Sequence, residues 1–278
     1  MLGKIKNNLE RVLPAFLFSA LVESVKAVVF PARLWVAVRQ AFPVWRRMDY
    51  IKSPILLRVD SLTEWDMRLR SSRKEPETVQ WVETHLRPGD VFFDVGANVG
   101  AYSLVAAKAT QGKCRIFAFE PMSANYMKLV ENVLRNGCGD VIVSLPLALS
   151  DRTEIARFEL ASLETGAAEH GGLAPEVRSS GGLFQDLVCI RLDSAIDLFG
   201  LPGPNHLKLD VDGAELKILT GGEKTLRRPE LRSVLMEVDR RRSDERRLRE
   251  ALAAAGFNVA GVWEHKGGGV ANMLFVRP

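Results

Sequence analysis

Cysteine is scarce in this 278-residue chain: Cys114, Cys138 and Cys189 are the only three, far apart and odd in number. A disulfide scaffold and a zinc site of paired close cysteines are both excluded, and a reducing compartment is the better expectation. No apolar run reaches the roughly 20 residues that a membrane-spanning helix needs. The best stretch, residues 12–22, is followed by Glu23, Lys26 and Arg33. Charge of one sign is also in short supply. With 38 Lys+Arg against 34 Asp+Glu, the net +4 is too weak to imply nucleic acid without a concentrated basic patch. Internal repeats and long low-complexity tracts are missing. What remains is 47% apolar and 26% charged, an ordinary globular composition that excludes overall disorder. The length suits one large domain with an appendage.

The small excess charge is unevenly placed. Residues 1–47 hold eight basic and two acidic side chains, net +6, so the remaining chain is net −2. The same segment is apolar and aromatic, with Phe30, Leu34, Trp35, Val38, Phe42 and Trp45, and prolines 14, 31 and 43 divide it into short helices. Two readings stand: an extension whose apolar face packs on the main domain, or an interfacial stretch touching an anionic membrane. A signal peptide is a weaker third, because the cleavage pattern is poor. The chain is therefore expected to be cytoplasmic, with peripheral contact at the inner face of the membrane as the alternative. A basic/apolar helical extension is placed at residues 1–74 and the main domain at 75–278.

From residue 88 onward, short apolar runs alternate with helical stretches. Strands are expected at residues 91–95, 115–119, 141–145, 207–211 and 233–238, and a closing hairpin at 257–262 and 271–276. Helices are expected at residues 101–109, around Tyr126, Leu129 and Val133, around Ile218 and Leu219, and around Leu248 and Leu252. Strands apolar on both faces and alternating with helices imply a parallel sheet covered on both sides, an α/β doubly wound fold. Residues 161–185, rich in Gly, Ser, Ala and Glu, break that rhythm and read as a mobile loop or lid.

Three places carry chemistry. The first is Asp94-Val95-Gly96-Ala97-Asn98-Val99-Gly100, a buried strand ending in a carboxylate and turning through glycines into a helix. Ligands of open parallel sheets bind outside such strand ends. The turn is not a dinucleotide fingerprint, since Asn98 stands where G-x-G-x-x-G has its second glycine. Asp94 also suits a cationic ligand better than a pyrophosphate. The second place is Glu120, ending the next strand before Pro121, where a carboxylate can accept both hydroxyls of a ribose. The third is Lys208-Leu209-Asp210-Val211-Asp212-Gly213-Ala214-Glu215, three carboxylates where a strand hands over to a helix. Asp212 and Glu215 also read as helix N-terminal capping groups.

Together these runs resemble the FkbM family of S-adenosylmethionine-dependent methyltransferases. The resemblance spans roughly residues 75–276 and extends to Leu147-Ala148-Leu149-Ser150-Asp151 and Leu192-Asp193. Where the family usually has Glu, this chain has Asp212. The resemblance implies a class I, Rossmann-like sheet of seven mostly parallel strands with a final antiparallel hairpin. It also implies O-methylation of hydroxyls on sugars, glycans or other natural products. S-adenosylmethionine would meet Asp94, Gly96, Ala97, Asn98 and Gly100 at its methionine part, with Tyr102 and Ser103 at the helix start. Glu120 would hold its ribose, and Ser150 and Asp151 would border its adenine. Asp210 would face the transferred methyl group. Asp210 is the first expected catalytic base, with Glu237, Asp212 and His206 behind it. His206 reads as lying at its strand start, away from the cleft, and His265 as an exposed loop histidine able to reach the cleft from the side. No complete set of metal ligands is legible, and none is assigned. A nicotinamide-dependent oxidoreductase and a non-catalytic binding protein on the same fold are the alternatives. The acceptor is expected to be a small molecule or glycan rather than nucleic acid.

Overall fold

A computed structural model describes residues 44–160, 166, 183–211, 213–241, 244–265 and 268–278. The expected N-terminal helices at residues 1–43 and nearly all of the expected 161–185 lid lie outside the described residues. The elements are β1 (Trp45–Arg47), β2 (Leu56–Arg58), α1 (Leu62–Asp66), α2 (Ser71–Lys74), α3 (Pro76–His85), β3 (Val91–Val95), α4 (Ala101–Ala109), β4 (Arg115–Phe119) and α5 (Ser123–Arg135). They continue with β5 (Ile142–Leu145), β6 (Ala148–Ser150), β7 (Glu154–Leu160), β8 (Leu183–Arg191), α6 (Leu192–Phe199), β9 (His206–Leu209), α7 (Glu215–Gly221) and α8 (Glu223–Leu226). The last are β10 (Ser233–Asp239), α9 (Glu245–Ala254), β11 (Asn258–Glu264) and β12 (Val270–Val276).

Seven strands form one sheet in the order β11-β12-β10-β9-β3-β4-β5. The β10–β9, β9–β3, β3–β4 and β4–β5 pairs are parallel, and β12 runs antiparallel to both its neighbours. This is the α/β doubly wound class I fold expected from the sequence, final hairpin included. The strands are short and apolar because both faces are covered. On β3, alternation sends Phe92 to one face and Phe93 to the other. Phe92 packs with Trp81, Val82, Leu104 and Leu129, and Phe93 with Leu192, Ile196, Ile218 and Leu252. Beyond β3 the chain winds through β4 and β5 to one side, then returns to place β9 and β10 on the other. The crevice at that switch point is where doubly wound sheets bind ligands.

Two features go beyond the sequence reading. A second sheet, β6-β8-β7, is inserted after β5, and its β8 takes residues 183–185 from the segment expected to be loop. The main compact unit also begins at Trp45 rather than at the expected boundary after residue 74. Met48, Tyr50, Ile55 and Leu57 are buried in the same core cluster as Phe92, so the β1–β2 hairpin is part of the main domain. α1 is set by Ser61, which accepts from the Glu64 N–H at 3.0 Å while Glu64 accepts from Ser61 N–H at 3.0 Å, a reciprocal capping box. All three cysteines are free and buried. Among the described residues no helix is long and apolar enough to cross a membrane.

Candidate active site

Strand register assembles the site. Asp94 on β3 lies opposite Lys208 on β9. Leu209 pairs with Met236, so Asp210, just past the end of β9, lies beside Glu237 of β10. Glu237 is in turn paired with Asn272 on β12. Side chains two apart share a sheet face, so Asp94, Lys208, Asp210, Glu237 and Asn272 form one polar row, at the carboxyl ends of β3, β9 and β10 and the amino end of the antiparallel β12. Helices α3 and α4 cover that row. Ser103 of α4 donates to Asp94 Oδ2 at 2.6 Å, and Asn272 Nδ2 donates to Glu77 Oε1 of α3 at 2.7 Å.

Lys208 is the buried cation at the centre, with its side chain only 3% exposed. Its Nζ lies 2.7 Å from Asp210 Oδ2, 3.9 Å from Asp94 Oδ1 and 5.0 Å above the Tyr102 ring. Burial alone would push Asp210 up, but the Lys208 ammonium and its hydrogen bond, with Lys74 and Arg68 behind, outweigh it and hold Asp210 below the usual carboxylate range. Asp94 is raised, by burial first, against the pull of Lys208 and Ser103. Glu237 is raised to about 8, by burial first and then by the neighbouring Asp210 and Glu75 charges. Two adjacent carboxyls are thus driven apart, one held ionised and one holding its proton near neutrality.

The glycine turn closes the other side. Gly96 and Ala97 both direct their N–H groups to the Phe119 carbonyl at 3.0 Å, and the Glu120 carboxylate accepts from Asn98 N–H at 2.8 Å and Met122 N–H at 2.9 Å. Those two bonds fix the Glu120 plane at the crevice while burial raises the group to about 7. Gly96 has φ +79°, and a Cβ there would overlap the Asp210 carbonyl oxygen, so only glycine lets the β3 and β9 ends run this close. Gly100, at φ +84°, opens α4 with Leu129 Cδ1 where its Cβ would be, 2.5 Å away.

Of the expected site residues, Gly96, Asn98, Glu120, Ser150, Asp210 and Glu237 line the cleft. Asp94, Ala97, Gly100, Tyr102, Ser103 and Asp151 are not among the residues lining it, and their side chains and backbone groups have other partners. Asp94 and Ser103 are bonded to each other beneath the turn. Gly100 serves packing against Leu129, and Ala97 serves the backbone bond to Phe119. Tyr102 points its hydroxyl at the Ser71 carbonyl, 3.2 Å away, and Asp151 accepts from Ser150 Oγ at 3.1 Å. Asp212 lies outside the described residues. Glu215 takes the Gly213 N–H at 2.9 Å, in keeping with the helix-start role. His206 is at the start of β9, as expected, bonded to Ser233 and facing Asp90 far from the crevice.

His265, expected in an exposed loop able to reach the cleft from the side, lines the cleft with Glu237 Oε2 3.6 Å from Nδ1. Three further basic residues carry no sequence signal for the cleft. Arg68, Lys74 and Arg241 line it as well. Arg68 and Lys74 fall in the stretch assigned to the extension, where no motif marks them. A Gly-rich neighbourhood such as 267–269 says loop, not which way the loop folds.

These groups fit S-adenosylmethionine. Its sulfonium and ammonium are cationic, and Glu120, Asp210, Glu215 and Glu237 bring carboxyls to the crevice. Glu120 is oriented by two backbone bonds with lone pairs left for ribose hydroxyls. Leu147, Leu149 and Phe158 supply an apolar wall suited to a base. Among the described residues no three His, Cys, Asp or Glu side chains are grouped to hold a metal ion.

The family profile described as "Methyltransferase FkbM domain" matches residues 94–259. The hexuronic acid methyltransferase AglP of Haloferax volcanii is 27% identical over 154 residues, covering 55% of this chain and 59% of AglP. The 31-O-demethyl-FK506 methyltransferase FkbM of Streptomyces tacrolimicus is 30% identical over 177 residues, covering 55% of this chain and 66% of that protein. The chain therefore spans under two thirds of either relative. The solved structure of methyltransferase FkbM from Methylobacillus flagellatus KT is similar in fold, with a TM-score of 0.52 and 16% identity over 69% of this chain and 44% of that one. S-adenosylmethionine is the cofactor that this family and this cleft share. By the match to its defining domain, the chain belongs to the FkbM methyltransferase family.

Proposed function

We propose that the protein O-methylates a hydroxyl of a sugar, glycan or other natural product, using S-adenosylmethionine, with Glu237 taking the hydroxyl proton. When bound, the cofactor supplies a methyl group on a sulfonium, a good leaving group, so alignment carries much of the work. The observation behind the reading is the split carboxyl pair. Asp210 was the first expected base, but Lys208 at 2.7 Å holds it ionised and makes it a weak base. Its fixed negative charge instead faces a cationic ligand. Glu237, raised to about 8, has in its ionised form, which a bound cationic cofactor favours, the basicity to take a proton from an acceptor hydroxyl held at the cleft. A base so placed contributes about 10²–10⁴-fold. The names of the two relatives support an oxygen acceptor for one and an acidic sugar for the other. Arg68, Lys74 and Arg241 at the cleft are compatible with such a partner.

Two measurements test this. Calorimetry should show S-adenosylmethionine binding that Glu120→Ala weakens roughly tenfold or more, the loss of a charged hydrogen-bonding group. Mass spectrometry of glycans, lipids and soluble metabolites, with and without the protein, should show one acceptor gaining a single methyl, and Glu237→Gln should abolish that gain. No cofactor binding, or full turnover by Glu237→Gln, refutes the reading.

A further inference from the structure

The cleft histidine belongs to a chain of polar groups that reaches from helix α3 to the proposed base. Glu77 Oε1 accepts from Asn272 Nδ2 at 2.7 Å, and the same Nδ2 is 3.1 Å from His265 Nε2. A carboxylate only accepts, so the Asn272 atom facing it is the amide nitrogen. That nitrogen only donates, so His265 Nε2 must accept. A neutral imidazole accepting at Nε2 carries its hydrogen on Nδ1. Nδ1 is the atom 3.6 Å from Glu237 Oε2, a few tenths of an ångström from hydrogen-bond distance. The ring is thereby given one tautomer, with its single N–H on the nitrogen nearer Glu237. Glu77 Oε1 itself stands 3.9 Å from Nε2, beyond direct reach, so Asn272 is the link.

We propose that His265 is a positioning residue for Glu237, held by Asn272 and Glu77 as the neutral Nδ1–H tautomer so that its one N–H orients the Glu237 carboxyl in the cleft. The proposal rests on the reading of Glu237 as the base. The other charged groups around Glu237 are Asp210 and Lys208 from β9 and its end, and Lys74 and Glu75 from α2 and the start of α3. Neither lysine stands within ion-pair distance of Glu237, whereas His265 Nδ1 does. The side chains of Glu237 and His265 are each 21% exposed, so both remain open to the cleft.

The full chain, labelled with ¹⁵N-histidine, gives a direct readout by long-range nitrogen–proton NMR near neutral pH. His265, assigned by the signal lost in His265→Asn, should show the Nδ1–H pattern. Asn272→Leu should return it toward the Nε2–H form favoured by free imidazole. An Nε2–H pattern in the parent protein, or no change in Asn272→Leu, overturns the proposal. Titration of the ¹³C-labelled glutamate carboxyls, with Glu237 assigned by Glu237→Gln, gives the second readout. His265→Ala should move the Glu237 midpoint upward by roughly one pH unit, because a donor to the ionised form is lost. His265→Asn, whose amide nitrogen can stand where Nδ1 stood, should largely restore it, and His265→Gln should not. Equal midpoints in the parent and His265→Ala refute the proposal, as does an unrestored midpoint in a folded His265→Asn. Adding S-adenosylmethionine should lower the Glu237 midpoint. Failure of that arm alone counts against the methyl-transfer reading and leaves the His265–Glu237 pairing standing.

Discussion

Replacing Lys208 by Met removes the one ammonium buried between Asp94 and Asp210 while keeping most of the side-chain volume. The lysine is 3% exposed, in hydrogen-bond contact with Asp210 and 3.9 Å from Asp94, whose side chain is 1% exposed. Stripping the cation from such a group leaves uncompensated buried charge, which costs about 3–5 kcal/mol. The cost depends on pH in a defined direction. In the parent, Asp210 lies below its ordinary value, so its contribution is present above pH about 4 and lost only as pH falls through that lowered value. Without Lys208, burial dominates and Asp210 titrates above its unfolded value, as Asp94 does further. A carboxyl raised in the folded state loses stability as pH climbs from about 4 through its folded value. Lys208→Met should therefore be nearly as stable as the parent near pH 4 to 5 and weaker by about 3–5 kcal/mol near pH 8. Urea unfolding of both proteins across that range measures the difference directly. A deficit that is flat with pH, or below about 1 kcal/mol near pH 8, would refute the electrostatic account and reduce Lys208 to a packing residue.

Gly96→Ala should cost at least about 2 kcal/mol by urea unfolding, because it adds a left-handed backbone penalty and forces the Asp210 carbonyl away. A neutral result would mean that the two strand ends part freely. Glu237→Gln should stabilise the protein near pH 9 by a few kcal/mol at most, and leave it unchanged near pH 5. The Glu237 carboxyl, raised to about 8, costs stability as pH climbs from its unfolded value near 4.5 to its folded value, and the loss is complete above that. Thermal midpoints at the two pH values check the sign. Phe92→Ala, at a fully buried ring packed edge-on to Trp81 with centroids 5.7 Å apart, should cost about 3–5 kcal/mol in the same assay.

The central sheet was legible because its strands are apolar on both faces and its turns carry glycine or proline at their ends. Residues 91–95 and 115–119 are strands with the expected bounds, and residues 101–109 are the expected helix. Residues 45–58 were not legible as part of that domain. They pack through scattered side chains such as Met48 and Ile55, which leave no period in so short a stretch. The inserted β6–β8–β7 sheet was hidden for a related reason. Its strands β7 and β8 mix apolar and charged residues, as at Ile155, Arg157 and Asp186, and half-exposed strands of this kind resemble loop in composition. At the site, Glu120, Asp210 and Glu237 could be placed because strand ends point to the crevice. The division of labour between Asp210 and Glu237 could not, since it depends on Lys208 being buried beside one of them. The motif also contains Asp94 and Ser103, and that they hydrogen-bond to each other beneath the turn was not readable from their spacing.

The antiparallel β12 sits between β10 and β11, although both precede it in the chain. Until β12 inserts, β11 has no place in the sheet, and β10 presents an unpaired edge with Glu237 on it. An open apolar edge of this kind is a template for pairing with another molecule. Closing it late also demands contacts distant in sequence, which slows folding. The refolding chain should thus assemble its donor-binding half first, around β3 and β4, and gain the Asn272–His265 arm last. Pulse-labelled hydrogen exchange should show amides of β3 and β4 protected before those of β11 and β12, and simultaneous protection would rule out that order. Loss of refolding yield with rising protein concentration should then originate at the β10 edge, which places the aggregation hazard of this fold beside its proposed base.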